Sequence, residues 1–209
     1  MMGLSNIRHF CKNLLSKCKY GLTEDECVVA IQAACDFFGI PAPILIQNLT
    51  YDPFGQTMFK NRDPYSLYDD VLCYDLNELR GMGVSDIIGF TAVFTHECAH
   101  RFFQDKVLPG PDNGQWEGEL IADYFMGVRA GLQDMDIRPI RNALAPTPGS
   151  GSHPLGKFRD EYIGYGFFEG RRHLINQNLP NTLEDYVKLF LKYRREHLDE
   201  LYEAEMTIY

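Results

Sequence analysis

Ile87-Ile88-Gly89-Phe90-Thr91-Ala92-Val93-Phe94-Thr95-His96-Glu97-Cys98-Ala99-His100 is apolar on nearly every side as far as Phe94, then turns to histidine and glutamate. Gly81 and Gly83 precede it, Ser85 stands where a helix cap belongs, and the helical pattern runs to about Lys106. Such a helix is expected to be buried on most sides. Residues four apart share a helix face, so His96 and His100 are able to reach one Zn²⁺. Glu97 then stands beside the metal, where a carboxylate takes a proton from zinc-bound water. Arg101 breaks the uncharged pattern and must point outward or meet a carboxylate. The plain alternative, a surface salt-bridge cluster, fits poorly with a helix that is apolar all round.

A catalytic zinc takes three protein ligands and keeps a place for water. Nineteen residues beyond His100 a second helix, expected over about 116–132, carries Glu119 and Asp123 at i and i+4. Glu119 is the candidate third ligand, and Asp123 the carboxylate that accepts the outer ring proton of a ligating histidine. Glu117 is the rival ligand, but at i−2 it faces another side. Ala122, Met126 and Gly127 are small or pliable enough to let this helix approach the first one closely. The Gly- and Pro-rich loop 145–154 ends in Ser152-His153-Pro154, and Arg159 follows in the next helix. His153 or Arg159 is placed to steady an oxyanion when water attacks a carbonyl.

The ordered set His96–His100, Glu119-Leu120-Ile121-Ala122-Asp123 and His153-Pro154-Leu155-Gly156-Lys157-Phe158-Arg159 resembles the gluzincin metallopeptidases. It is most similar to the heat-shock and prenyl-processing zinc endopeptidases, over about residues 70–165. The resemblance implies a zinc peptidase holding one Zn²⁺ per chain through His96, His100 and Glu119, with Glu97 as general base. It also implies that Val71-Leu72-Cys73-Tyr74 lies along the cleft edge and pairs with extended substrate, with a plain interior strand as the equal alternative. The best-known members sit in membranes, whereas no stretch here nears the roughly 20 apolar residues a membrane helix needs.

Around that centre the pattern predicts one α+β, zincin-like domain over residues 1–209: a small sheet packed on the HExxH helix, with further helices after it. Residues 1–65 supply amino-terminal helices and the first strands, 70–165 the catalytic core, and 166–209 carboxy-terminal helices. Helices are expected over about 4–18, from a Thr23-Glu24-Asp25-Glu26 capping box to about Phe38, near 137–144, over 155–176 and over 182–205. Short β-like runs occupy Ile44–Gln47, Thr57–Phe59 and Val71–Tyr74.

Lys and Arg total 20 against 29 Asp and Glu, a net charge of −9 that repels phosphate backbones and argues against nucleic-acid binding. The segment Met1–Lys19 lacks an unbroken apolar region and does not read as a signal peptide, so the expected location is cytoplasmic. None of the six cysteines forms a CxxC pair, and reduced, buried thiols are expected. The expected activity is hydrolysis of peptide bonds in a peptide or protein substrate, without membrane insertion. Two rivals stay open: a zinc hydrolase of another amide such as cell-wall peptide, and a zinc-binding regulatory or interaction module without peptidase activity. An intact Glu97 favours catalysis, because a structural site has no use for it.

Overall fold

A computed structural model describes residues 23–47, 58–60, 71–74, 79, 84, 86–103, 116–151, 153–175 and 182–207, with backbone alone at 44–47, 58–60, 71 and 73. The expected helix over 4–18, the Ser85 cap and the helix end at Lys106 lie outside these residues. The chain divides into two compact units, Met1–Phe102 and Phe103–Tyr209.

The first unit opens with α1, Glu24–Phe38. Its capping box forms as expected: the Glu26 backbone N–H donates to the Thr23 hydroxyl at 3.3 Å, and the Thr23 N–H donates to the Glu26 carboxylate at 2.8 Å. Gly39 ends the helix at φ 67°, the left-handed region that glycine enters without strain. Strands β1 (Ile44–Gln47), β2 (Met58–Lys60) and β3 (Val71–Tyr74) form a sheet in the order β1-β3-β2, so β3 is an interior strand paired on both sides and not the expected cleft edge. β1 runs parallel to β3 with Ile44 opposite Val71, and β2 runs antiparallel to it with Phe59 opposite Leu72. Helix α2, Ile87–Phe103, carries the His pair. Its start is held by Asp86, whose carboxylate accepts the Gly89 N–H at 2.8 Å. Phe90, Phe94, Thr95, Cys98 and Ala99 are all fully buried, so the helix is enclosed on most sides as its sequence requires. α1 packs on α2 through the Phe38–Phe102 rings, 5.3 Å apart, and the sulfurs of Cys35 and Cys98, 3.7 Å apart. Cys27, Cys35 and Cys98 are buried, reduced thiols.

Every regular element among the described residues of the second unit is a helix: α3 (Glu117–Leu132), α4 (Arg138–Leu144), α5 (Gly156–Ile175), α6 (Leu183–Glu196) and α7 (Leu198–Met206). α3 and α5 meet backbone to backbone. A Cβ on Gly127 or Gly131 would lie 2.1 or 2.2 Å from the Ile163 or Phe167 carbonyl oxygen of α5. One on Gly166 or Gly170 would lie 2.0 or 2.1 Å from the Tyr124 or Val128 carbonyl of α3. Phe190 of α6 covers the pair, its ring 5.5 Å from Tyr124 and 5.8 Å from Tyr162. Where one helix is expected over 182–205, the chain breaks at His197. There the imidazole Nδ1 bonds the Tyr193 carbonyl at 2.8 Å, and the His197 N–H turns to Arg194 O at 3.1 Å, which ends the α-helical ladder.

The α+β, zincin-like expectation is corrected by this structure. The described residues are mostly helical, with helices of 15 to 20 residues in both units, against strands of four, three and four residues. The helices supply most of the described core, to which β3 adds Leu72 and Tyr74. No helix among the described residues is long and apolar enough to cross a membrane.

Candidate metal centre

In the first unit, α2 turns His96 and His100 to the same side. Their Nε2 atoms are 3.0 Å apart and their rings stand nearly perpendicular, at 82° with centroids 4.6 Å apart. Two nitrogens on one tetrahedral zinc, each about 2.0–2.1 Å from the ion, stand roughly 3.3 Å from one another. The pair therefore has the spacing of two ligands to one ion. With no ion between them, the same spacing suits a hydrogen bond in which one Nε2 donates and the other accepts. His96 is 7% exposed, so solvent competes weakly for it. Glu97, partly buried, follows His96 about 100° around the helix, and Cys98 faces α1 through Cys35.

In the second unit, α3 presents Glu119 and Asp123 on one face, as i,i+4 spacing requires. Asp123 is fully buried and held by a two-pronged guanidinium: Arg159 Nε donates to Oδ2 at 2.8 Å and Nη2 donates to Oδ1 at 3.0 Å. The same Nη2 lies 3.8 Å from Glu119 Oε2. On its other side, Glu119 Oε1 lies 3.8 Å from His153 Nε2. Thus Glu119, Asp123, His153 and Arg159, expected to act together, do converge. Asp123 accepts from Arg159 through both oxygens, and Arg159 faces the two carboxylates of α3.

The loop that carries His153 is tied down at several points. The His153 N–H donates to Ser150 Oγ at 3.0 Å, and the Ser150 N–H donates to His153 O at 2.8 Å. Trp116, just before α3, donates its indole N–H to Ser150 O at 3.0 Å. The His153 side chain turns toward Glu119, and α5 begins three residues later at Gly156. A Cβ on Gly156 would lie 2.0 Å from the Leu144 carbonyl, so α4 and α5 join without room to shift. Arg141 of α4 adds a fork onto Asp160, next to Arg159, at 2.6 and 3.0 Å.

Glu117 faces away from this cluster, as its i−2 position predicts, and pairs with Arg194 of α6 at 2.8 Å with both side chains buried. Burial pushes the Glu117 carboxyl above its ordinary value, and the Arg194 guanidinium only partly offsets that shift. The sequence sign of this pair is an arginine, Arg194, on the apolar stripe of Phe190, where a charge needs a buried partner. The open face of Gly127 receives Ile163 of α5. The sign of that contact is the matched spacing of Gly127 and Gly131 with Gly166 and Gly170.

Comparison with protein families, with curated proteins and with solved structures finds no match.

Proposed function

We propose that this chain is a zinc-dependent peptidase that uses the gluzincin set of residues. The observation that carries the reading is the His96–His100 pair of α2, whose Nε2 atoms stand 3.0 Å apart on one helix face; Glu119, flanked by Arg159 and His153 in the second unit, is the third ligand this reading assigns. Two imidazoles and one carboxylate are a donor set that zinc favours, and three protein ligands leave a position open.

Bound zinc supplies the Lewis acid that polarises the scissile carbonyl and makes water a nucleophile near neutral pH. The protein residues do the rest. Glu97 accepts the proton of the attacking water on its carboxylate and returns it to the departing amine. His153, with about half of its side chain exposed, stands at the edge of the cluster, where an N–H can meet the negative charge growing on the carbonyl oxygen. The fixed neighbours of Glu119 hold its carboxylate ready as a ligand.

The test is a screen of the purified, zinc-loaded protein against a peptide library, with Glu97→Gln in parallel. Cleavage by the wild type that is lost in a variant of equal zinc content supports the reading. A protein that takes up no transition metal even after reconstitution with zinc refutes it.

A further inference from the structure

We propose that Arg159 is a positioning residue of the zinc site, locking Glu119 and Asp123 into one arrangement, and that it is not the oxyanion donor. The inference rests on the zinc reading given above and specifies what this arginine does within it.

The geometry is that of a clamp. Asp123 has no exposed surface, and a carboxylate taken out of water needs a charged partner with good hydrogen bonds. Arg159 provides both from one edge of its guanidinium, at 2.8 and 3.0 Å. That edge ends at Nη2, which also faces Glu119 Oε2 at 3.8 Å, so one cation holds two carboxylates a helical turn apart. The clamp is itself braced. Gly156 is wedged against the Leu144 carbonyl, and Arg141 grips Asp160, so the first turn of α5 delivers Arg159 from a fixed direction.

An oxyanion donor has the opposite requirement: its N–H groups must meet charge that appears only during reaction. The Arg159 edge that faces the site already donates to a buried anion, and releasing it would strand Asp123. The two roles therefore make different demands on zinc. Removing an oxyanion donor leaves metal affinity intact and slows turnover, whereas removing a group that orients a ligand weakens metal binding by about 10- to 100-fold.

The experiment measures zinc affinity by competition with a chromophoric chelator, and turnover at limiting and at saturating zinc. Wild type, Arg159→Gln and His153→Ala are compared, with helix content checked by circular dichroism. The expected result for Arg159→Gln is a 10- to 100-fold weaker zinc affinity, with most of the turnover recovered once zinc is saturating. His153→Ala is expected to keep its zinc affinity. Should Arg159→Gln fail to fold around the stranded Asp123, the pair Arg159→Met with Asp123→Leu removes both charges at similar volume and is expected to show the same loss of zinc. Unchanged zinc affinity in either folded variant overturns the proposal. So does a hundredfold rate deficit that saturating zinc does not relieve, which would make Arg159 the oxyanion donor. A wild-type protein that binds no zinc fails at a different point and removes the zinc reading itself.

Discussion

Replacing Gly127 by Ala adds one methyl group at a point where α3 and α5 touch backbone to backbone. The new Cβ would stand 2.1 Å from the Ile163 carbonyl oxygen and 2.8 Å from the Phe167 nitrogen. A carbon settles against a carbonyl oxygen at about 3.3 Å or more, so the helices must part by roughly 1 Å. Neither obstructing atom belongs to a side chain that could rotate away, which puts the cost at or above the upper end of the usual overpacking range of about 1–3 kcal/mol. Alanine returns about 1 kcal/mol through its better helix propensity. The expected net loss is about 2–4 kcal/mol, a fall in melting temperature of roughly 4–16 °C at this chain length. Gly118→Ala is the control. It lies in the first turn of the same helix, is exposed and has nothing within 4 Å of its added Cβ. There the identical change should stabilise the protein by about 0.4–1 kcal/mol. Urea and thermal melts followed by circular dichroism measure both. The contact also lies one turn along each helix from Asp123 and Arg159, so parting it by 1 Å should stretch a clamp now at 2.8 and 3.0 Å and lower zinc affinity as well. A Gly127→Ala protein that melts at or above wild type would refute the backbone-to-backbone seam.

Glu97→Gln should retain zinc and lose about a hundred- to ten-thousand-fold in turnover, the usual contribution of a positioned base; near-normal peptidase activity would exclude Glu97 from that role. His153→Ala should leave zinc content unchanged while turnover falls about a hundredfold or more, and measurable loss of zinc would make His153 a ligand instead. Arg194→Met strands the buried Glu117 carboxylate and should cost about 3–5 kcal/mol at pH 8, with a clearly smaller loss at pH 5. The sign follows from the raised Glu117 pKa: its contribution to stability is fully present below its unfolded value of about 4.3 and is lost as pH rises through the higher folded one. Equal losses at the two pH values, in denaturant melts, would show that Glu117 does not carry the effect.

Local rules made much of this chain legible. Thr23 and Glu26 announce α1 because a capping box is complete within four residues, and His96 and His100 share a side because helix geometry alone puts them there. Fold class is a property of proportion, and there the reading failed. The apolar runs at Ile44–Gln47 and Val71–Tyr74 do become strands, but a run of four residues looks the same whether it belongs to a large sheet or to a scrap beside long helices. Partner choice was equally hidden. Spacing puts Glu119 and Asp123 on one face but does not say that Arg159, 36 residues beyond Asp123, is the cation that meets them. That depends on how α5 lies on α3, and hence on where four glycines fall. Gly127 is a place of close approach, and that α5 is what it meets is hidden because a bare helix face carries no label for its neighbour.

Those glycines bear on the chemistry through register. The Ile163 and Phe167 carbonyls fit only where the facing stripe of α3 carries no Cβ, and Gly127 and Gly131, one turn apart, are those places. Sterics therefore select one alignment before any charge is paired. In that alignment Arg159 arrives opposite Asp123, and its long side chain has few other places to go, so forming the clamp gives up little further conformational entropy. A buried ion pair seldom stabilises a fold, because desolvation consumes most of the attraction. Here the glycine seam supplies the docking, and the charged cluster is free to serve the site.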